Sequence, residues 1–352
     1  MPDASFYVRI RRQTIREISD IMQRKDTILY LVVPCYNEEE VLDKTAGVLK
    51  EKMGRLQKAG RISARSKVLF VNDGSKDKTW PMICQWTKED AMFAGLCFSR
   101  NYGHQSAILA GMMASREKAD AVVTIDADLQ QDIEALDRFL DCYEKGCDIV
   151  YGVRNDRNTD GFFKKSTAGI FYGLMHALGC RTITNHADYR LMSKKALNAL
   201  AEFKETNLFL RGLIPTMGFQ SDIVYFDVKE REAGQSKYTF KKMMTLAVDG
   251  ITSMSTRPLQ LIMLLGFLTC LLSAGIFVSC IVDWAHGKVV PGWTTTVAST
   301  CLIGGMMLLS QGIIGEYIGK IYMESKGRPR YIIDAMILRE EEDGEETDDG
   351  KN

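Results

Sequence analysis

The chain has 352 residues, with 45 basic and 45 acidic side chains and hence a formal charge of zero. That length holds one large domain plus an appendage, and without a basic excess no nucleic-acid partner is expected. The charge is unevenly placed: residues 339–352 hold eight acids and two bases, which reads as a solvated, disordered acidic tail.

Residues 1–27 form an N-terminal extension that is Arg-rich and lacks the apolar core of a secretory signal. It suits a short helix lying on the catalytic domain or on a lipid surface. Nine cysteines occur without a CxxC pair, which points to reduced thiols in a cytosol-facing protein.

From residue 28 the pattern alternates. Ile28–Pro34, Val68–Val71, Leu96–Phe98, Ala121–Ile125 and Asp148–Tyr151 are short apolar runs rich in β-branched residues. Segments of helical composition lie between them at 38–56, 78–92, 104–117 and 132–145. The alternation predicts an α/β domain over 28–237, with a mostly parallel, Rossmann-like sheet and helices on both faces. Ligands of such sheets collect beyond the C-terminal strand ends. The polar groups there are Tyr36-Asn37-Glu38, Asn72-Asp73-Gly74-Ser75, Ser99 to His104, and Asp126-Ala127-Asp128. Singly these are ordinary turn or capping residues, Asn37 and Asp73 in particular; together they converge on one edge. In an extended segment residues i and i+2 point the same way. Asp126 and Asp128 therefore suit one hard divalent cation, Mg²⁺ or Mn²⁺, shared with substrate phosphates. His104 and His186 lack metal spacing and read as helix N-terminal or packing histidines. Residues 161–179 read as an apolar helix near an acceptor groove or as plain core.

Residues 238–258 read as an amphipathic helix at a membrane interface. Two uncharged runs follow, Leu259–Val282 and Val289–Gly315. Each exceeds the roughly 20 residues that cross a hydrocarbon core, which predicts transmembrane helices over 259–283 and 289–318. Basic residues flank the pair outside, at Lys241, Lys242 and Arg257 and again at Lys320, Lys326, Arg328 and Arg330. The loop between carries Lys288 as its one strong base. The positive-inside rule then puts the catalytic domain and both termini in the cytoplasm of a multi-pass cell-membrane protein. Residues 319–338 are a cytosolic return segment.

The segments VVPCYNEEEVL, VNDGSKDKT, SRNYGHQSAILAGM and TIDADLQ, in this order, resemble the family 2 glycosyltransferases of GT-A fold. YGVRNDR, HADYRLM, FLRGLIP, REAGQSKYTF and the paired spans resemble the polyprenyl-phosphate subgroup, which includes bactoprenol glucosyltransferases and dolichyl-phosphate mannose synthases. The likeness covers about residues 28–325. It implies an inverting transfer of a hexose from a nucleotide-diphosphate sugar, a UDP-sugar by preference, to polyprenyl (undecaprenyl) phosphate at the membrane. It places Pro34, Tyr36, Glu38, Asp73, Arg100, Asn101 and Gly103 at the donor nucleotide, with Asp126 at the ribose or diphosphate and Asp128 on the metal. Asp188 lies near the reacting centre, as a base, as a positioning group, or as a structural partner of Arg190. An anionic acceptor needs cations, and Arg154, Arg211, Arg231 and Lys237 are the candidates. Members with two such spans can form homo-oligomers through them. Two other functions are weighed: a polysaccharide synthase, against which the missing Gln-x-x-Arg-Trp motif argues, and a non-catalytic membrane-tethered nucleotide-binding scaffold.

Overall fold

A computed structural model describes residues 27–155, 186–206, 209–227, 250–253, 255–286 and 292–339. Eight strands form one sheet. In chain order the elements begin β1 (Leu29–Cys35), α1 (Leu42–Lys58), β2 (Lys67–Asn72), α2 (Thr79–Glu89), β3 (Phe93–Phe98), α3 (His104–Ser115) and β4 (Ala121–Thr124). They continue with α4 (Ala135–Glu144), β5 (Ile149–Arg154), β6 (His186–Ser193), α5 (Lys194–Ala201), α6 (Leu210–Thr216) and β7 (Ser221–Phe226). The long helices α7 (Arg257–Ala285) and α8 (Trp293–Ser325) follow, and β8 (Ile333–Ile337) closes the order.

The sheet runs β7-β5-β6-β4-β1-β2-β3-β8. β1 to β4 are mutually parallel, as are β5 and β7; β6 and β8 run the other way. This is the mostly parallel α/β architecture expected from the alternation. The central strands are apolar on both faces because both are covered. Leu29, Leu31 and Val33 pack with Leu49, Met53 and Leu136 on one side, and Tyr30 and Val32 with Ile108, Met112 and Leu213 on the other. Strand β3 starts three residues before the apolar run suggests. Gly95 interrupts the run, yet it is needed: a Cβ there would lie 2.7 Å from Ile83 Cγ2 on α2.

Both long helices are apolar and uncovered. Arg257–Asp283 has a mean hydropathy of 2.5 and Leu302–Ser325 of 1.2, and neither window is buried in the protein. A soluble core helix would be buried; these two are long and apolar enough to cross a membrane. At about 1.5 Å per residue, the 33 residues of α8 span roughly 50 Å, more than the ~30 Å of a hydrocarbon core, and its C-terminal end lies against other segments. There Tyr317 donates to the Ser255 carbonyl (2.6 Å) and Lys320 Nζ to Ser253 Oγ (3.1 Å). Glu324 then accepts the Thr206 N–H (2.9 Å). The start of α7 and the end of α8 thus meet beside the α/β domain. Most of 238–258, all of 161–179, the N-terminal extension before Thr27 and the acidic tail beyond Arg339 lie outside the described residues.

Candidate active site

The strand register sets the site. Cys35 is level with Asn72, and Asn72 with Cys97, so the loops after β1, β2 and β3 leave from one edge. The antiparallel β6 joins that edge by its N-terminal end. Thr124 lies opposite Arg190, which brings Asp188 level with Asp126, and the Thr124 hydroxyl donates to the Asp188 carbonyl.

The first two loops are stitched to each other. The Asn37 N–H donates to Ser75 Oγ (2.9 Å) and the Lys76 N–H to Asn37 Oδ1 (2.9 Å). Likewise the Lys78 N–H donates to Glu39 Oε2 (2.9 Å) and the Glu38 N–H to Thr79 Oγ1 (3.0 Å). Asn37 adopts a φ of 54°, a left-handed conformation that Asn tolerates better than most residues. Tyr36 is 43% exposed at the end of β1, while Pro34 is buried within the strand.

Asp73 is 3% exposed. Its oxygens accept the Tyr102 N–H (2.6 Å) and the Gly103 N–H (2.9 Å). It caps no helix of its own; it pins the loop that starts α3. Burial raises its pKa from the ordinary value, and the two N–H donors partly offset this. Gly103 has φ 93° and ψ 155°, a region essentially reserved for glycine. Arg100 and Asn101 stand exposed on this loop, with the Arg100 guanidinium 4.1 Å from the Tyr102 ring centroid.

Asp126 and Asp128 follow β4, both partly exposed. Gln131 locks Asp126 from two directions. Its Nε2 donates to Asp126 Oδ2 (2.6 Å), and its Oε1 accepts the Asp126 N–H (3.0 Å). Asp128 Oδ1 accepts the Gln130 N–H (3.1 Å). Among the described residues, no three His, Cys, Asp or Glu side chains gather to cage a metal. Two carboxylates at a strand tip instead fit Mg²⁺ or Mn²⁺ whose remaining ligands are water and substrate phosphate. The residues present fit an ion that arrives with a diphosphate.

His104, the first residue of α3, joins the two halves of the site. Its Nε2 lies 3.5 Å from Asp126 Oδ1 and 3.5 Å from Asp188 Oδ2. The helix N-terminal reading of this residue holds, and the packing reading does not. Burial works against charge on the imidazole, but the bond to Asp188 and the fields of Asp126 and Asp188 prevail and raise its pKa.

Asp188 is the most heavily bound carboxylate of the site. Arg190 Nη2 donates to Oδ1 (2.6 Å), and Arg211 grips both oxygens, Nε to Oδ1 (3.1 Å) and Nη2 to Oδ2 (2.7 Å). Burial would raise its pKa, yet His104, Arg211 and Arg190 outweigh burial and hold it well below the carboxylate range. Arg190 is fully buried, and its Nε and Nη1 have no hydrogen-bond partner among the described residues. His186 is also buried and has no hydrogen-bond partner among the described residues, its ring edge-on to Tyr151; burial drives its pKa down to about 3. That matches a packing histidine. Arg154 is exposed at the tip of β5, where its charge acts on Asp126. Arg231 and Lys237 lie outside the described residues.

The structure thus brings together Asp126, Asp128, Asp188, Arg154 and Arg211 at one edge, next to a loop system holding Tyr36, Glu38, Asp73, Arg100, Asn101 and Gly103. The sequence marks His104 as a helix N-terminal residue without its carboxylate partners, and it gives Gln131 no role. The signal for both was position alone, since each sits in a loop or helix start just after a buried strand.

The profile of glycosyl transferase family 2 matches residues 30–201. YkoT of Bacillus subtilis (strain 168), an uncharacterized glycosyltransferase, is 45% identical over 91% of this chain and 95% of its own length. The bactoprenol glucosyl transferase of Shigella phage SfX is 37% identical over 86% of this chain and 97% of its own. A prophage bactoprenol glucosyl transferase homolog of Escherichia coli (strain K12) is 35% identical over the same shares.

Proposed function

The chain belongs to glycosyl transferase family 2, and from that premise we propose that it moves a hexose from a nucleotide-diphosphate sugar, a UDP-sugar, to the phosphate of a polyprenyl lipid such as undecaprenyl phosphate. The observation that carries this reading is the pairing of two arrays at one sheet edge. The tandem carboxylates Asp126 and Asp128 suit a donor diphosphate, and Arg211, held by Asp188 beside them, suits an acceptor phosphate. Two uncovered apolar helices end next to that domain. The relatives named for bactoprenol match over 86% of this chain and 97% of their own length.

In an inverting transfer an acceptor oxygen forms its bond to the anomeric carbon on the face opposite the breaking bond to the diphosphate. Negative charge collects on that diphosphate. A divalent ion bound with the donor supplies Lewis-acid neutralisation of it, and Asp126 and Asp128 are the residues that would hold it. Gln131 and His104 fix the Asp126 carboxylate in place. Asp73 sets the loop that presents Arg100, Asn101 and Gly103 to the nucleotide, alongside Pro34, Tyr36 and Glu38. A phosphate acceptor is already anionic at neutral pH, so no strong base is needed. Asp188 accordingly serves as a positioning group. Its oxygens are occupied by guanidinium donors, and it orients Arg211 for a bidentate grip on the acceptor phosphate. Arg154, Arg231 and Lys237 complete the cationic side.

The meeting of the α7 start with the α8 end beside the domain supports a hairpin with the catalytic domain and both termini on the cytoplasmic side. Association of copies through α7 and α8 is part of the same proposal.

The test uses purified full-length protein in lipid nanodiscs with Mg²⁺, undecaprenyl phosphate and labelled nucleotide sugars. Lipid-extractable label from at least one UDP-sugar is expected. No label from any UDP- or GDP-hexose, or a long water-soluble product, would overturn the reading.

A further inference from the structure

The segment after α8 reaches back into the catalytic sheet. Strand β8 pairs antiparallel with β3, from Gly95 opposite Ile337 to Phe98 opposite Ile333. Just before it, the Tyr331 ring stacks on Phe98, with centroids 5.1 Å apart and planes 16° from parallel. The Ser99 N–H donates to the Ile332 carbonyl (3.2 Å). Phe98 in turn meets Tyr102 edge-on at 5.6 Å, and Tyr102 carries the Arg100 guanidinium over its face. Tyr331, Phe98, Tyr102 and Arg100 therefore form one continuous column. It starts at the segment leaving the membrane helix and ends at a residue of the donor loop.

The loop has two anchors. From inside, Asp73 holds the Tyr102 and Gly103 amides. From outside, the C-terminal segment holds Phe98 and Ser99. That segment is itself fixed to the domain: Arg330 Nη2 donates to the Phe203 carbonyl, and Glu324 accepts the Thr206 N–H. An edge strand added merely to close the sheet needs the β3–β8 ladder alone. The ring column does more, because it bears on the side chains of loop 99–103 and not on the ladder.

We propose that residues 327–337 form a positioning arm of the donor site, with Tyr331 setting Arg100 and Asn101 through Phe98 and Tyr102. Donor binding is then coupled to the end of the membrane helix: a shift of α8 relative to the domain moves the loop that grips the nucleotide. This rests on the reading above in one respect, that loop 99–103 faces the donor.

The experiment compares full-length wild type, Tyr331→Ala and Tyr331→Phe in nanodiscs by amide hydrogen exchange and by kinetics with UDP-glucose, or whichever UDP-sugar proves active, and undecaprenyl phosphate. Tyr331→Ala should speed exchange in 99–104 while amides of β1 and β2 stay protected. It should raise the donor KM roughly three- to tenfold, the weight of one aromatic pair, with acceptor KM and kcat within about twofold. Tyr331→Phe keeps the stack and should behave as wild type. Unchanged exchange in 99–104, or faster exchange across the whole sheet, would overturn the proposal, as would a loss in kcat at constant donor KM. If wild type transfers no sugar, the functional reading fails, while the exchange comparison still decides whether Tyr331 positions the loop.

Discussion

Asp73 and Asp188 are both buried aspartates at the same sheet edge, and the protein uses them in opposite ways. Among the described residues Asp73 is held by backbone N–H groups, and its pKa rises because burial prevails. Asp188 is held by two guanidinium groups and an imidazole, and its pKa falls because the cations prevail. The first arrangement shapes a loop. The second builds a charged platform, with Arg211 42% exposed at its outer end. The proposed donor half of the site therefore rests on main-chain geometry and the proposed acceptor half on ion pairing, so substitutions in the two halves should fail differently.

The largest effect is expected where the two halves meet the reaction. Asp128→Ala should lower kcat by about 10²–10³-fold, the usual loss when a group stabilising transition-state charge is removed, with an unchanged melting temperature. It also separates an enzyme from a scaffold, since a scaffold variant would keep its biological effect. Next, Asp188→Ala leaves the buried Arg190 without its counter-charge and should cost about 3 kcal/mol or more in stability. Asp73→Ala leaves two backbone donors unpaired, about 1–3 kcal/mol, and should raise the donor KM. If chemical denaturation ranks Asp73 above Asp188, the division between the halves is wrong. Arg211→Ala should be milder in stability, on the order of 1 kcal/mol, because Arg211 is 42% exposed and the buried Asp188 keeps Arg190 and His104. Its acceptor KM should rise about tenfold, and Arg211→Lys should recover little of this because Lys lacks the bidentate fork.

The same division explains what the sequence reveals. Strands β1 to β5 and the helices between them follow from apolar runs and periodicity, and the donor loops follow from polar residues placed just after those strands. Strand β6 was not legible as a strand. His186, Asp188 and Arg190 alternate with Ala187, Tyr189 and Leu191, so it looks half-solvated, yet every residue is buried: Asp188 pairs with Arg190 and Arg211, and His186 packs against Tyr151. Strand β8 was invisible for a different reason. Ile333-Asp334-Ala335-Met336-Ile337 has no neighbour in sequence to pair with, and its partner β3 lies more than 230 residues earlier. Gln131 belongs with these, and so do the partners of His104, though not its place at a helix start, because such partners are set by the fold and not by spacing.

Acid titration gives the finest separation of the two aspartates. A folded carboxyl held below its unfolded value of about 3.9 contributes stability that is full above that value and is lost as pH falls through the folded pKa. Asp188 is such a group. Asp73 is the reverse: its contribution is full below the unfolded value and lost as pH rises through its raised folded pKa. As pH falls toward the unfolded value of about 3.9, therefore, wild type should lose less stability on acidification than Asp73→Asn does, because protonating Asp73 favours the fold. Below about pH 4 the order turns, and Asp188→Asn should show the flatter decline because it has no carboxylate left to lose. Asp77, Asp90 and Glu134 also have lowered values and supply a background common to all three proteins. Melting temperatures measured across pH 3–7 in one detergent decide the matter. Parallel curves for the two variants would mean that backbone donors and guanidinium donors hold a buried carboxylate alike, and the contrast between the halves would dissolve.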